Sequence, residues 1–328
     1  MSGPDHTNVL GGGEVRPAGV GELLSQIAVL LRENLGLYLR LAAVPVGTFA
    51  VAYAVMLWVM RAYGLFPQPH AAPDPRQSGV MALAMLCITP PFMVAFVLFE
   101  AASCRSALTA IRGDAASFWE QYRYVGRKAG RLLWLMLLRA VVVMLPVMVL
   151  GVLAGAGLAV ASARGGMRPE AGFFAWPLMA LLLLGCVVWA VWLSLYLALA
   201  VPVCVDEDAP AWTACRRSGQ LARGGKGRIF VVMFLVYLIG MAAIVAFEMA
   251  ILALIGMGTL AGMLLHIHLS PAARVPGALL LVAVGMVLLY VVIALQWGSY
   301  SIALTVLYKD QRLRSEGSAP ASLESEPA

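Results

Sequence analysis

The stretch VPVCVDEDAPAWTACRRSGQLARGGKGRIFVVMF, from Val201 to Phe234, places a short charged segment between two long apolar runs. The first run ends at Val205, three acids follow it, and five Lys or Arg residues come next before the second run starts at Ile229. Long apolar runs separated by a short basic segment are typical of a chain that leaves a bilayer and enters it again. The stretch therefore predicts a membrane protein.

The charged segment itself is predicted to form a helix that lies on the membrane surface. Asp208 is suited to cap this helix, and Pro210 is suited to its first turn. A helical period then separates two faces. The apolar face comprises Ala211, Ala214, Cys215, Ser218, Leu221 and Ala222, and the polar face comprises Thr213, Arg216, Arg217, Gln220 and Arg223. The glycine-rich run 224–227 is predicted to end the helix, so that a spanning helix begins at Ile229.

Composition excludes the soluble classes, since 62% of the 328 residues are apolar, 12% are charged and the mean hydropathy is +0.87. The net charge of +6 is compatible with nucleic-acid binding, but the cations cluster beside apolar runs, where anionic lipid headgroups neutralise them. We therefore expect membrane lipids as partners and no nucleic acid. No metal, cofactor or disulfide framework is expected, because the cysteines have no metal-binding spacing. They are Cys87, Cys104, Cys186, Cys204 and Cys215.

Six apolar stretches are long enough to cross a bilayer, since about 20 helical residues at roughly 1.5 Å each match a hydrocarbon core of about 30 Å. In chain order they are 41–60, the stretch between Arg76 and Glu100, 133–161, 171–205, a stretch that begins at Ile229, and one drawn from 279–307. The polar segments 1–17 and 315–328 are expected to be disordered tails. Residues 18–314 then form one membrane domain.

The fifth stretch is ambiguous, because its apolar character persists to Leu269. The chain either crosses once and lays the segment from Ile251 to Leu269 along the far interface or into the bundle, or crosses twice with a hairpin near Glu248. Residues 245–254 contain no turn-forming residue, and a second crossing would move the C-terminal cations to the other side of the membrane. A single crossing is therefore preferred.

The Lys and Arg residues are distributed unequally between the two sides of the six spans. Of the 23 cations, 18 fall on the side of the termini. The other five are Arg61, Arg76, Arg164, Arg168 and Arg274. Because cations are enriched on the cytoplasmic side of membrane proteins, both termini are predicted to be cytoplasmic.

Two further segments have the same pattern as the charged stretch, and the three together suggest an internal repeat. One runs from Glu22 to Leu35; the other is predicted to be capped by Asp114 and to place Trp119 on its apolar face. Each segment leads to a glycine, and these glycines, Gly36, Gly130 and Gly227, are 94 and 97 residues apart. The predicted fold is an all-α integral membrane protein with six transmembrane helices in three helical-hairpin repeats, each preceded by an amphipathic interfacial helix.

Two motifs carry a family resemblance. Between Pro202 and Phe230, acid-x-Ala-Pro precedes Arg-Arg-Ser and a Gly-rich basic junction, and the segment from Leu304 to Gly317 reads LTVLYKDQRLRSEG. This pattern, over about residues 20–317, resembles the membrane-domain family named after glycerophosphoryl diester phosphodiesterases. The resemblance implies a multi-pass protein of the bacterial cytoplasmic membrane. Some members carry a fused phosphodiesterase domain, but only 11 residues follow Gly317, so no catalytic domain is expected here.

One cation and one acid are predicted to meet inside the membrane. Arg139 lies eight residues beyond Arg131, which is about 12 Å along a helix. A charge at that depth must reach the interface, face water or find a partner, and Glu100 is the nearest acid at similar depth. The hypothesis is an ion pair between Glu100 and Arg139 that fixes the packing of spans two and three. The alternative is that Arg139 extends to the interface by itself.

Glu248 is the one acid far inside an apolar run, and such acids are transport candidates. It follows Arg228 by 20 residues, roughly 30 Å of helix, so an interfacial position is favoured over a transport role. His266 and His268 are expected on the same side as His70. Because residues two apart on a helix point in different directions, a metal site is not expected.

The favoured function is that of a non-enzymatic membrane protein that organises lipid or partner proteins through a basic cytoplasmic surface. Its candidate headgroup ligands are Arg123, Arg127, Lys128, Arg216, Arg217, Arg223, Lys226 and Arg228. The alternative is a transporter or permease component with a path between the spans, for which Gln296, Ser299, Ser301 and Thr305 form the densest polar set. No catalytic constellation gathers at one depth, so an enzyme is not expected.

Overall fold

A computed structural model describes residues 19–63, 75–163, 169–264 and 271–317, and every regular element in these ranges is a helix. In chain order the helices are α1 Val20–Glu33, α2 Leu35–Ala62, α3 Pro75–Ile111, α4 Phe118–Arg127, α5 Ala129–Ala163, α6 Pro169–Tyr196, α7 Ala200–Asp206, α8 Ala211–Ala222, α9 Lys226–Leu264 and α10 Pro271–Gly317.

Six segments of the described chain are long and apolar enough to cross a membrane. They are Leu35–Ala62, Gly79–Ile111, Ala129–Ala156, Ala180–Asp206, Lys226–Leu254 and Ala283–Ser315. The all-helical class and the number of spans agree with the sequence prediction. The fourth span differs from it, because the chain leaves helical geometry between α6 and α7.

Helix α9 is continuous from Lys226 to Leu264. A hairpin near Glu248 is therefore wrong, and the preferred single crossing agrees with the structure. Residues 251–264 of the segment whose placement was left open continue the same helix, and residues 265–269 lie outside the described ranges. Residues 245–254, where the hairpin would have turned, contain no turn-forming residue, so the helix continues through them.

Some predictions fall outside the described residues. These are the N-terminal tail, the loop that contains His70, and the pair His266 and His268. The boundary predicted before residue 315 is three residues early, since α10 extends through Gly317.

Both predicted helix caps are wrong. Helix α8 has Pro210 at its N-cap, and helix α4 has Ser117 there. Asp208 instead adopts a left-handed backbone conformation with φ +53°, which Asp tolerates better than most residues. Its side chain binds cations from elsewhere in the bundle, so it cannot satisfy the first N–H groups of α8.

The three repeat glycines do not form the breaks between the short and long helices. Each is the second residue of a long helix: Gly36 in α2, Gly130 in α5 and Gly227 in α9. The breaks lie just before these helices, at Asn34, at Lys128 and at residues 223–225.

The buried core lies at the end of the bundle that carries the short helices. Residues Ala200 to Val205 of α7 are all buried there, where α7 packs against α3 and α8. Along the spans, large apolar side chains such as Leu83, Val152 and Leu181 face outward. Apolar surfaces of this extent are unfavourable in water but match a lipid environment.

Candidate functional site

The acidic triplet, Asp206, Glu207 and Asp208, begins at the last residue of α7. It lies at the end of the bundle that carries the short helices α4 and α8 and their arginines, which we call the basic end. Asp206 is the most enclosed of the three, with a side chain only 3% exposed. Arg112, just after α3, forms an ion pair with its Oδ1 atom. The Nζ atom of Lys309 and the Nη1 atom of Arg312 lie 3.0 and 3.2 Å from its Oδ2 atom. Asp206 thus links α7 to α3 and α10.

The other two acids bind α5, α8 and the α4–α5 junction. The Nζ atom of Lys128 lies 2.6 Å from Oδ1 of Asp208, and Arg131 pairs with the same oxygen. These hydrogen bonds hold the pKa of Asp208 down to about 2. The Nε atom of Arg217 lies 3.7 Å from Oε1 of Glu207.

Six cations ion-pair with these three acids. They are Arg112, Lys128, Arg131, Arg217, Lys309 and Arg312. They come from helices far apart in the chain, which explains why sequence spacing did not reveal them as partners. Cations clustered beside apolar spans favour anionic ligands.

The break between α6 and α7 is satisfied by Ser218 of α8. The N–H of Leu199 donates to the Ser218 Oγ atom at 3.1 Å, and the Ser218 hydroxyl donates to the carbonyl of Tyr196 at 2.9 Å. Gly219 allows this approach, because a Cβ atom there would overlap the Tyr196 ring. The sequence analysis missed the break, although a hydroxyl on an otherwise apolar helix face was a signal for it.

The whole predicted apolar face of α8 is buried. Its cover is protein, because α8 packs against α5, α6, α7 and α10. The apolar face of α8 thus packs against the bundle, and the position of α8 on the membrane surface stays a prediction. Outward, α8 presents Arg216 and Trp212, and Arg223 follows at its C-terminal end. Trp212 is 72% exposed.

Helix α4 also presents a tryptophan outward. Gln121 and Val125 are its buried residues, whereas Trp119, which was predicted on the apolar face, is 77% exposed and does not share the buried face. The Tyr122 hydroxyl donates to the carbonyl of Leu41 at 2.7 Å, which fixes α4 against α2. This bond selects a face of α4 that apolarity alone did not identify.

The structure divides the eight headgroup candidates into two sets. Arg123, Arg127, Arg216 and Arg223 are exposed and form no ion pair within the described ranges. The remaining four have partners inside the protein. Lys128 binds Asp208, Arg217 binds Glu207, Arg228 lies 3.5 Å from Asp310, and the Nζ atom of Lys226 lies 4.6 Å from the centre of the Trp192 ring.

Glu100 and Arg139 lie next to each other inside the bundle. The Nη1 atom of Arg139 is 3.8 Å from Oε1 of Glu100, whose side chain is 3% exposed. The Glu100 Oε1 atom has no hydrogen-bond partner among the described residues, so this is an ion pair at long range rather than a bidentate bond. Whether the pair fixes the packing of α3 against α5 stays a prediction.

The polar set of α10 does not line a described cavity. Ser299, Ser301 and Thr305 donate to carbonyls four residues earlier in α10, at 2.9, 3.0 and 2.8 Å. The Nε2 atom of Gln296 donates to the carbonyl of Val236 at 3.1 Å. Glu248 is exposed on α9. Within the described ranges, no group of three His, Cys, Asp or Glu residues could hold a metal ion.

A cavity of about 480 Å³ lies beside the start of α9. The glycine-rich segment 224–227 lines it together with Arg223, Gln311 and Arg314. A Cβ atom at Gly225 would overlap the Gln311 side-chain amide, which packs directly against this backbone. The loop thus forms a basic depression at the same end of the bundle as the acidic triplet.

Comparison of the chain with protein-family models, with curated proteins and with solved structures finds no match.

Proposed function

We propose that the chain is a non-enzymatic, multi-pass protein of the bacterial cytoplasmic membrane that binds anionic lipid headgroups at its basic end and organises lipid or partner proteins there. The observation that carries this proposal is a group of four exposed arginines beside the acidic triplet. Arg123 and Arg127 lie on α4, Arg216 on α8 and Arg223 in the turn after α8, and none of them forms an ion pair within the described ranges. Each cation near an anionic surface contributes about 1 kcal/mol.

The exposed tryptophans support the same orientation. Trp119 and Trp212 project from the two short helices that also carry Arg123, Arg127 and Arg216. Tryptophan is enriched at the headgroup level of membranes, where its ring is apolar and its N–H remains hydrated. On this proposal α4 and α8 lie at the cytoplasmic interface with both termini on that side.

The repeat and the family resemblance belong to the same proposal. Each proposed unit has a short helix, a long helix with glycine as its second residue, and a second long helix: α1–α3, α4–α6 and α8–α10. The segments from Pro202 to Phe230 and from Leu304 to Gly317 both contribute to the basic end, through Asp206 and Lys309 among others. The two segments that carry the family resemblance therefore contact each other.

The transporter alternative has no comparable support. Its candidate hydroxyls on α10 donate to carbonyls of their own helix rather than towards a neighbouring span. A transport path needs polar groups around a cavity at mid-membrane.

The test measures lipid enrichment around the full chain in nanodiscs that mix phosphatidylcholine with phosphatidylglycerol. We expect phosphatidylglycerol to be enriched, and salt to reduce the enrichment. Replacing Arg123, Arg127, Arg216 and Arg223 together by Gln removes up to about 4 kcal/mol of attraction. The control is Arg61→Gln, an exposed cation at the other end of α2. Equal lipid composition around the wild type and the fourfold variant would contradict the proposal.

A further inference from the structure

A small cavity of about 160 Å³ opens between the ends of α3, α4 and α7. Its polar lining consists of Arg105, Thr109, Arg112, Tyr124 and Asp206. At roughly 30 Å³ for a water-sized atom, the volume accommodates about five such atoms, the size of a phosphate group. It is too small for the body of a lipid.

Arg105 differs from the other cations at this end of the bundle. Its guanidinium lies against the Tyr124 ring, with Cζ 3.4 Å from the ring centre. Its Nε atom is buried without a hydrogen-bond partner, and no acid in the described ranges forms an ion pair with it. A half-buried guanidinium without an anion is costly, because its buried Nε–H donor loses water and gains no acceptor.

Asp206, the acid that lines the cavity, already has several hydrogen-bond and ion-pair partners. Asp206 is contacted by Arg112, Lys309 and Arg312, and the Tyr308 hydroxyl lies 3.0 Å from its Oδ2 atom. It therefore has no capacity left to compensate Arg105. The lining holds two arginines, Arg105 and Arg112, and one carboxylate, so the wall of the cavity carries a net positive charge.

The remaining polar groups of the lining cannot act as donors. The Thr109 hydroxyl donates to the carbonyl of Arg105 at 2.9 Å. The Tyr124 hydroxyl donates to the carbonyl of Val205 at 3.2 Å and accepts from Lys128. The donors of the lining are thus guanidinium N–H groups, and a planar guanidinium can bind two oxygens of one phosphate group at once.

We infer that this cavity binds the phosphate of a phosphomonoester, with Arg105 as the residue that recognises it and Arg112 at its mouth. A phosphomonoester carries a charge of about −1.5 to −2 at pH 7, which a phosphodiester does not reach, and so it compensates more of the positive excess. The ligand is either a lipid headgroup or free phosphate. The inference rests on the proposed function, because it names one preferred ligand at the surface that binds anionic lipid.

The experiment uses the full chain in nanodiscs of phosphatidylcholine with either phosphatidic acid, a phosphomonoester, or phosphatidylglycerol, a phosphodiester. We expect the wild type to retain phosphatidic acid preferentially. Arg105→Gln should reduce that retention about 10-fold or more, the value of one charge-assisted hydrogen bond, and leave phosphatidylglycerol retention unchanged. The control, Arg123→Gln on the exposed face of α4, should affect both lipids equally.

A second arm adds inorganic phosphate to the protein in neutral detergent, at constant ionic strength, and follows the unfolding temperature. Stabilisation that depends on Arg105 here, without preference for phosphatidic acid, assigns the cavity to free phosphate. If Arg105→Gln fails to fold, Thr109→Leu narrows the cavity and leaves its charges intact, with the same expected loss. The inference is overturned if neither arm responds to these substitutions. Absence of phosphatidylglycerol enrichment around the wild type would instead overturn the proposed function.

Discussion

Replacing Asp206 by Asn removes the carboxylate that joins α7 to α3 and α10 but keeps the shape of the side chain. The Asp206 side chain is almost fully buried, and Arg112, Lys309 and Arg312 all pair with it. The substitution leaves these three cations close together without their common acid. We expect a lower free energy of unfolding and looser packing of α10 against α7.

The expected loss follows from the burial of each partner. Removing one partner of a buried ion pair costs about 3–5 kcal/mol. Arg112 is exposed and the other two cations are partly exposed, so all three can recover hydration, which favours the lower end, about 3 kcal/mol. At about 2 °C per kcal/mol for a chain of this size, the unfolding temperature should fall by about 6 °C.

Asp208→Asn is the matched control for this measurement. It is the same substitution two residues later, but the Asp208 side chain is 59% exposed and its pairs with Lys128 and Arg131 are accessible to water. Exposed pairs contribute about 0.2–1 kcal/mol each, so the loss of two pairs should lower the unfolding temperature in detergent by about 4 °C or less. Equal shifts for the two variants, or no shift for Asp206→Asn, would refute the reasoning.

Three further predictions concern other contacts. In a double-mutant cycle, Glu100→Gln and Arg139→Gln should each lower the unfolding temperature, and together less than their sum, with a coupling of about 0.5–3 kcal/mol; strict additivity would exclude an energetic pair. Ser218→Ala leaves the buried N–H of Leu199 without its acceptor and should cost about 1–3 kcal/mol, measured by thermal unfolding, whereas a neutral result would mean that the α6–α7 break needs no support from α8. The pKa of Asp208 is lowered to about 2, so its contribution to stability is present above about pH 4 and is lost as the pH falls towards 2. Unfolding temperatures of the wild type and Asp208→Asn should therefore converge over that interval, and a constant difference down to pH 2 would contradict the assignment.

The long spans and the inner face of α8 followed from the sequence, because both depend on local patterns. Apolar length identifies a segment that can cross a bilayer, and a period of 3.6 residues places Ala214, Ser218 and Leu221 on one side of α8. Depth counting also brought Glu100 and Arg139 to the same level, since rise per residue is nearly constant in a helix.

The ion pairs of the basic end did not follow from the sequence, because their partners come from distant helices. The sequence pattern favoured Asp208 as a helix cap, but its side chain pairs with Lys128 and Arg131, which lie about 80 residues earlier in the chain. The break after Tyr196 lies in a uniformly apolar run, and the hydroxyl that satisfies it is 22 residues further on, at Ser218. Trp119 was assigned to the wrong face because an aromatic ring fits a protein interior and a membrane interface equally well.

The central claim, that the basic end with the acidic triplet faces the cytoplasm, is tested most directly by cysteine labelling. Arg223→Cys places a thiol at the basic end and Tyr63→Cys places one at the opposite end of the bundle, both at exposed positions, with the wild type as the blank for native cysteines. In spheroplasts, a membrane-impermeant maleimide should label Tyr63→Cys, and Arg223→Cys should react only after permeabilisation. Labelling of Arg223→Cys in sealed spheroplasts would contradict the orientation and the proposal built on it.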